Sequence, residues 1–280
     1  MATARYPPAQ WRLIGGGEAD GAGNMAIDEA ILSAVLEGQV PPTLRLYAWS
    51  PPCLSLGRNQ PLGDVDLEAC RAAGVDVVRR PTGGRAILHT GELTYSVALL
   101  ASDPRATADV LEGYRRLSEG LLAGLRRLGV EVTPVDGGQG AGHRDGRRAG
   151  PVCFDTPSHH EITAGGRKLV GSAQWRARGG VLQHGSLPLE GEITRIVDCL
   201  ALSEADREAQ RRALRARACT LEEAQGRRVP FAEAAQALAE GFAEALHLRL
   251  VAGKITADEQ ARAGELRRTR YATCEWAGRA

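Results

Sequence analysis

Lysine is almost missing from this chain of 280 residues: of 35 basic side chains, only Lys168 and Lys254 are lysines and the rest are arginines. Aromatic residues are sparse too, at 4%, which leaves little to build base-stacking platforms. A formal net charge of +1 gives no general attraction to phosphate, so nucleic acid is not an expected partner. No apolar run approaches the roughly 20 residues that span a bilayer, and the start, Met1-Ala-Thr-Ala-Arg-Tyr-Pro-Pro8, lacks the apolar core of a signal peptide. A cytoplasmic protein with no membrane partner is expected. The six cysteines form no Cys-x-x-Cys pair, which argues against a zinc ribbon or a disulfide framework. No Gly-x-x-x-x-Gly-Lys-Ser/Thr phosphate loop is present either.

What is there is ordinary globular material, 43% hydrophobic and 25% charged, ample for one large core. Apolar residues at helical spacing predict a first helix over 24–36, with Asn24 as N-cap and Gly38 as stop. Alternation predicts a strand over 43–49 and, after Pro51-Pro52, a returning strand over 53–56, then a helix over 62–73. Strands over 75–79, 86–89 and 93–98, with a turn at Pro81-Thr-Gly-Gly84, read as an antiparallel meander. A long amphipathic helix over 106–128 and a strand over 130–135 follow. Strands over 161–163, 168–175 and 181–189, joined by glycine turns at 164–167 and 177–180, predict a second meander in the same sheet. From Glu192 the pattern is helical, with Ser203 and Thr220 as caps, a small strand over 249–251 and a last helix over 258–268. This is an α+β order, with residues 1–250 as the main domain and 251–280 as a helical extension packed on it.

In so lysine-poor a composition, Lys168 stands inside Gly165-Gly-Arg-Lys168-Leu-Val-Gly171-Ser-Ala-Gln174, fifteen residues after Cys153 in Pro151-Val-Cys153-Phe-Asp-Thr-Pro-Ser158. A thiol beside an ammonium makes an acyl-accepting nucleophile. Lowering a thiol from about 8.5 to about 7 raises the thiolate fraction at pH 7 roughly fifteenfold, worth about 1.6 kcal/mol. Cysteines are more often small buried hydrophobes, and Cys53, Cys70, Cys199, Cys219 and Cys274 are read that way. Cys153 differs because it follows a glycine- and arginine-rich stretch, 137–150, that no core strand would tolerate. His159-His160 lacks a ligand pattern, so no metal is expected.

Five ordered motifs carry a resemblance: Arg79-Arg-Pro-Thr-Gly-Gly-Arg-Ala-Ile-Leu-His89, Glu92-Leu-Thr-Tyr-Ser96, Cys153-Phe-Asp-Thr-Pro-Ser158, Lys168-Leu-Val-Gly-Ser-Ala-Gln174 and Leu182-Gln-His-Gly-Ser186. From about Trp11 to Trp276 the chain resembles the lipoate-protein ligase and octanoyltransferase group, within the biotin/lipoate-protein ligase catalytic fold. It is most similar to octanoyl-acyl carrier protein:protein N-octanoyltransferases of the cysteine-lysine kind. The resemblance implies a mixed, largely antiparallel sheet flanked by helices. It also implies that Cys153 takes the octanoyl group as a thioester and that Lys168 assists. Octanoyl-acyl carrier protein is the implied donor, and the glycine cleavage H protein or a lipoyl domain of a 2-oxoacid dehydrogenase the implied acceptor.

The same resemblance implies a substrate pocket formed by Arg79, Thr82, Gly83, Gly84, Arg85 and His89 from the first motif, Gly171, Ser172, Ala173 and Gln174 from the fourth, and His184 and Gly185 from the fifth. His89 and His184 are read as hydrogen-bonded residues lining it. Thioester exchange needs no cofactor, and Arg85, standing where the ligases of the group have a third glycine, favours transferase over ATP-dependent ligase. Thr90 is a second departure, since relatives commonly carry an acidic residue there. Arg79, Arg80, Arg144, Arg147 and Arg148 are candidates to meet an acidic carrier protein. The ligase, an octanoyl amidotransferase between lipoyl domains and a non-enzymatic acyl-binding protein remain alternatives at this stage.

Overall fold

The computed structural model describes residues 5–135 and 161–279. The chain opens with a strand, β1 (Ala9–Ala19), then α1 (Gly21–Leu36), β2 (Thr43–Trp49), β3 (Cys53–Leu56), α2 (Leu67–Ala72), β4 (Asp76–Arg79) and β5 (Ile87–His89). After β6 (Glu92–Leu100) come the long α3 (Val110–Arg127), β7 (Val132–Val135), β8 (Glu161–Ala164), β9 (Arg167–Ala177) and β10 (Gly180–Pro188). The last third holds α4 (Glu204–Arg217), α5 (Leu221–Gln225), α6 (Phe231–Ala245), β11 (Leu248–Ala252), α7 (Ala257–Leu266) and α8 (Cys274–Gly278).

Two sheets organise these elements. Among the described residues the larger has eight strands in the order β11-β1-β2-β6-β10-β9-β8-β7, and the smaller three, β4-β3-β5. Pairing in the larger sheet is parallel for β11–β1 and β1–β2 and antiparallel from β2 onward. Strand alternation divides its residues between two faces. Leu93, Tyr95, Val97 and Leu99 of β6 join Leu117, Leu121 and Leu125 of α3 and Leu238 and Phe242 of α6 in the main core. On the opposite face, Ala98 and Leu182 pack with Ile31, Leu32 and Val35 of α1. That second face also carries Thr94, His184 and Ser186, and it is where the small sheet closes over the large one.

The second meander forms as expected, β8, β9 and β10 turning through Gly165-Gly166 and Arg178-Gly179, all four residues at positive φ. The first does not. β3 pairs with β4 in parallel and with β5 antiparallel in the small sheet, while β6 leaves to sit between β2 and β10. Alternation specifies an extended segment, not its partner. The first helix starts three residues earlier than its periodicity suggests, capped by Asp20, whose Oδ1 accepts from Gly23 N at 2.7 Å. Asn24 is instead buried and donates its amide to the Ala19 and Ala48 carbonyls. Position 21 has to be glycine, because a Cβ there would lie 2.5 Å from Cys53 Sγ. The helix expected over 62–73 divides into a 3₁₀ turn, Leu62–Asp64, and α2, since Asp66 caps anew on Ala69 N. Likewise α3 starts at Val110, with Asp109 accepting from Leu111 N and Glu112 N.

At the C-terminal end α7 packs on α1, a π-helical turn spans Arg267–Tyr271, and α8 reaches β4. No helix among the described residues is long and apolar enough to cross a membrane.

Candidate active site

A cavity of about 320 Å³ lies where the small sheet meets the second face of the large one. β3 contributes Ser55, and the segment after β4 contributes Arg80, Gly83, Gly84, Arg85, Ile87 and His89. The large sheet supplies Trp49, Thr94, Gly171, Ser172, Ala173, Gln174, His184, Gly185 and Ser186, and Met25 and Tyr114 close it from α1 and α3. Ten of the expected pocket residues therefore share one wall system: Gly83, Gly84, Arg85, His89, Gly171, Ser172, Ala173, Gln174, His184 and Gly185.

The glycine turn is held from beneath. Arg80 is buried and donates through Nη2 to the Gly83 and Arg85 carbonyls at 2.8 and 2.7 Å and through Nη1 to Ser55 O at 2.8 Å. Arg58 N donates to Thr82 O at 2.8 Å. Gly57 lies so close beneath the turn that a Cβ on it would sit 1.9 Å from Gly84 O. Thr82 is not on the wall; its Oγ1 is 2.7 Å from Nε2 of His184, which it orients. Asp28, at the other side of His184, accepts from Arg45 Nη1, Tyr47 Oη and Ser96 Oγ at 2.7, 2.8 and 2.9 Å. Burial acts to raise the Asp28 carboxyl, but the Arg45 charge, the neighbouring His184 and the Arg45 hydrogen bond prevail and hold it below the usual range. Burial lowers His184 below the ordinary imidazole value, only partly offset by Asp28, so this ring is neutral at pH 7.

Arg79 also lies off the wall. Its guanidinium, fully buried, donates to the carbonyls of Gly57, Arg58, Gln60, Trp276 and Ala277. A side chain so engaged clamps three chain segments together. With Arg79 and Arg80 at 0% and 2% exposure, neither can meet a carrier protein. Arg144, Arg147 and Arg148 lie outside the described residues.

Lys168 is buried on β9, three residues before Gly171, and its Nζ stands 2.5 Å from Glu161 Oε1 on β8. Its ammonium is thus held between two neighbouring strands and is not among the groups that line the cavity. Cys153 lies outside the described residues, as do His159 and His160. Of the other cysteines, Cys53, Cys70, Cys199 and Cys219 are buried. Cys274 is exposed on α8, against expectation, because its helix turns Trp276 inward instead.

Ser55, Trp49, Thr94 and Ser186 also line the wall, and none of them is among the expected pocket residues. The signal was available for two of them: with His184 on the cavity face of β10, period two places Ser186 there, and the neighbouring strand β6 pairs Thr94 with Ser186.

Comparison with known proteins agrees with this architecture. A family model described as the lipoyl protein ligase A/B catalytic domain matches residues 20–243. Among curated relatives, an octanoyltransferase LipM of Symbiobacterium thermophilum is 47% identical over 275 residues, covering 95% of this chain and 97% of its own. A LipM of Moorella thermoacetica is 46% identical over 277 residues, with 96% and 98% covered. Among solved structures, a bipartite lipoate protein ligase from Thermoplasma acidophilum superposes with a TM-score of 0.81 at 25% identity, covering 97% of this chain and 98% of that one. A lipoate-protein ligase A bound with ATP gives 0.77 at 26% identity, with 97% and 98% covered.

Proposed function

We infer, because the chain belongs to the lipoyl protein ligase A/B catalytic-domain family, that it is an acyltransferase that moves an octanoyl group onto a protein lysine for lipoylation. The observation that carries the reading is the likeness to octanoyltransferases at 45–47% identity over about 95% of the chain. In the reading proposed here, the donor is octanoyl-acyl carrier protein in the cytoplasm. The acceptor is the glycine cleavage H protein or a lipoyl domain. Cys153 attacks the donor thioester and carries the octanoyl group as its own thioester, and the acceptor ε-amine then takes it as an amide.

Lys168 is the auxiliary group in this scheme. A compact ammonium fixed by Glu161, three residues before the cavity-lining Gly171, favours a nearby thiolate and donates to a carbonyl oxygen as it becomes an oxyanion. The turn at Gly83-Gly84, exposed and pinned by Arg80, leaves room for the acyl carbonyl to approach backbone. The apolar parts of Met25, Trp49, Ile87 and Tyr114 give the octanoyl tail its surface. Seven carbons buried at about 0.8 kcal/mol each supply roughly 5–6 kcal/mol of binding.

Intact mass of the protein incubated with octanoyl-acyl carrier protein, without ATP, tests the reading. The wild type should gain one octanoyl group and a Cys153→Ala variant none. Acceptor modification that appears only with ATP and free octanoic acid would sink it in favour of a ligase.

A further inference from the structure

The cavity wall carries a hydrogen-bonded chain that the thioester scheme above leaves unused. Glu92 accepts on Oε1 from His89 Nδ1 at 2.7 Å and from the Thr94 hydroxyl, and on Oε2 from the Ser186 hydroxyl. Trp49 donates its Nε1 proton to Thr94 Oγ1 at 2.8 Å and stacks flat on the His89 ring, centroids 4.0 Å apart and 12° from parallel. A carboxylate only accepts, so the proton of a neutral His89 sits on Nδ1 and the lone pair on Nε2. Ser55 Oγ lies 2.7 Å from that lone pair and must donate to it. Arg80 Nη1 in turn donates to Ser55 Oγ at 3.2 Å. The order is carboxylate, imidazole, hydroxyl, guanidinium, and Ser55, Arg80 and His89 all line the cavity.

A serine oxygen has two acceptor positions. Arg80 fills one, and Ser55 Oγ has no further partner among the described residues, so the second is open to an N–H entering from the cavity. His184, the other imidazole on the wall, is placed differently: Nε2 meets Thr82 and Nδ1 faces Asp28, and neither of those residues lines the cavity.

We propose that His89, oriented by Glu92, accepts a proton from the acceptor lysine through the Ser55 hydroxyl during amide formation. This rests on the acyl-transfer reading above. The acceptor arrives as an ammonium, which cannot attack. It gives one proton to Ser55 Oγ while the Ser55 hydroxyl proton moves to His89 Nε2, forming an imidazolium braced by the Glu92 carboxylate. The amine nitrogen then bonds to the thioester carbonyl carbon and the C–S bond breaks. The second nitrogen proton ends on the departing sulfur, and the imidazolium returns its proton to solvent, so atoms and charge balance with no redox change.

Two half-reactions separate the roles. Protein is loaded from octanoyl-acyl carrier protein and the adduct measured by intact mass; the loaded protein is then mixed with a lipoyl domain and transfer followed in a single turnover. His89→Gln keeps a donor toward Glu92 and an acceptor toward Ser55 but cannot take up a proton. Its transfer rate should fall about a hundredfold relative to its own loading rate, and Ser55→Ala should lower the same ratio at least tenfold. An unchanged ratio in either variant would overturn the relay. Where both half-reactions of His89→Gln slow equally, that unchanged ratio would mark the chain as a purely structural brace. A wild type that never loads would remove the acyl-transfer reading itself, a result distinct from the other two.

Discussion

His184 and Asp28 stand 3.7 Å apart, both buried, and both have values below those of the free side chains. The two depressions act on the same side of neutrality. In the unfolded chain a histidine takes a proton near pH 6.5, whereas folded His184 resists it, so stability falls as pH drops below about 6.5 until the folded imidazole protonates. Asp28 contributes stability that is complete above the unfolded carboxylate value of about 3.9 and is lost as pH falls through its lower folded value. Urea midpoints should therefore decline from pH 7.5 to 5 on account of His184, and decline further in stronger acid on account of Asp28. His184→Gln should flatten the first part of that curve and weaken the second only in part, since Arg45 keeps its charge beside Asp28. An identical slope between pH 7.5 and 5 in the variant would show that His184 is not the group responsible.

Among the elements, α8 shows how a short helix can reach the site without touching it. Trp276 is buried against β4, donates Nε1 to Arg79 O at 2.8 Å and lies under Arg270, whose guanidinium carbon is 3.9 Å from its ring centre. Arg79 answers by donating to the Trp276 and Ala277 carbonyls. The next residue, Arg80, holds the glycine turn. Trp276→Ala should cost about 3–5 kcal/mol of stability and, at temperatures where the variant is still folded, slow acyl loading. A folded variant with full loading would show that the turn does not depend on this helix. Little of this linkage was legible in the sequence, because Arg79 and Trp276 are 197 positions apart and no local pattern pairs them. The glycine turns of β8 to β10 were legible because their chemistry is local. β1 was not, since Gly15, Gly16 and Gly17 interrupt any alternation and its pairing depends on β2 and on β11, which lies far along the chain. The small sheet escaped for the same reason: its strands are clear, and their partners are fixed only by packing.

At the scale of the whole molecule, the cavity exists because two sheets meet, and its size follows from how closely their backbones approach. Gly185 forms part of the wall with so little space that a Cβ would sit 2.5 Å from both Gly171 O and Tyr95 Cε1. Walls made of paired strands resist expansion, as close-packed interiors do. At about 320 Å³ the space is near the lower end of small-molecule pockets. An acyl chain that ends inside it should gain about 0.8 kcal/mol, or roughly fourfold in kcat/KM, for each methylene added up to the length that fills it. Each methylene beyond that must displace packed side chains, and two of them should cost about 1–3 kcal/mol. Loading rates from hexanoyl-, octanoyl- and decanoyl-acyl carrier protein should therefore rise about fifteenfold from six carbons to eight and fall again at ten. A decanoyl donor that loads as fast as the octanoyl one would mean that the tail leaves the cavity through an opening. Chain length would then be selected by the carrier protein and not by the junction between the sheets.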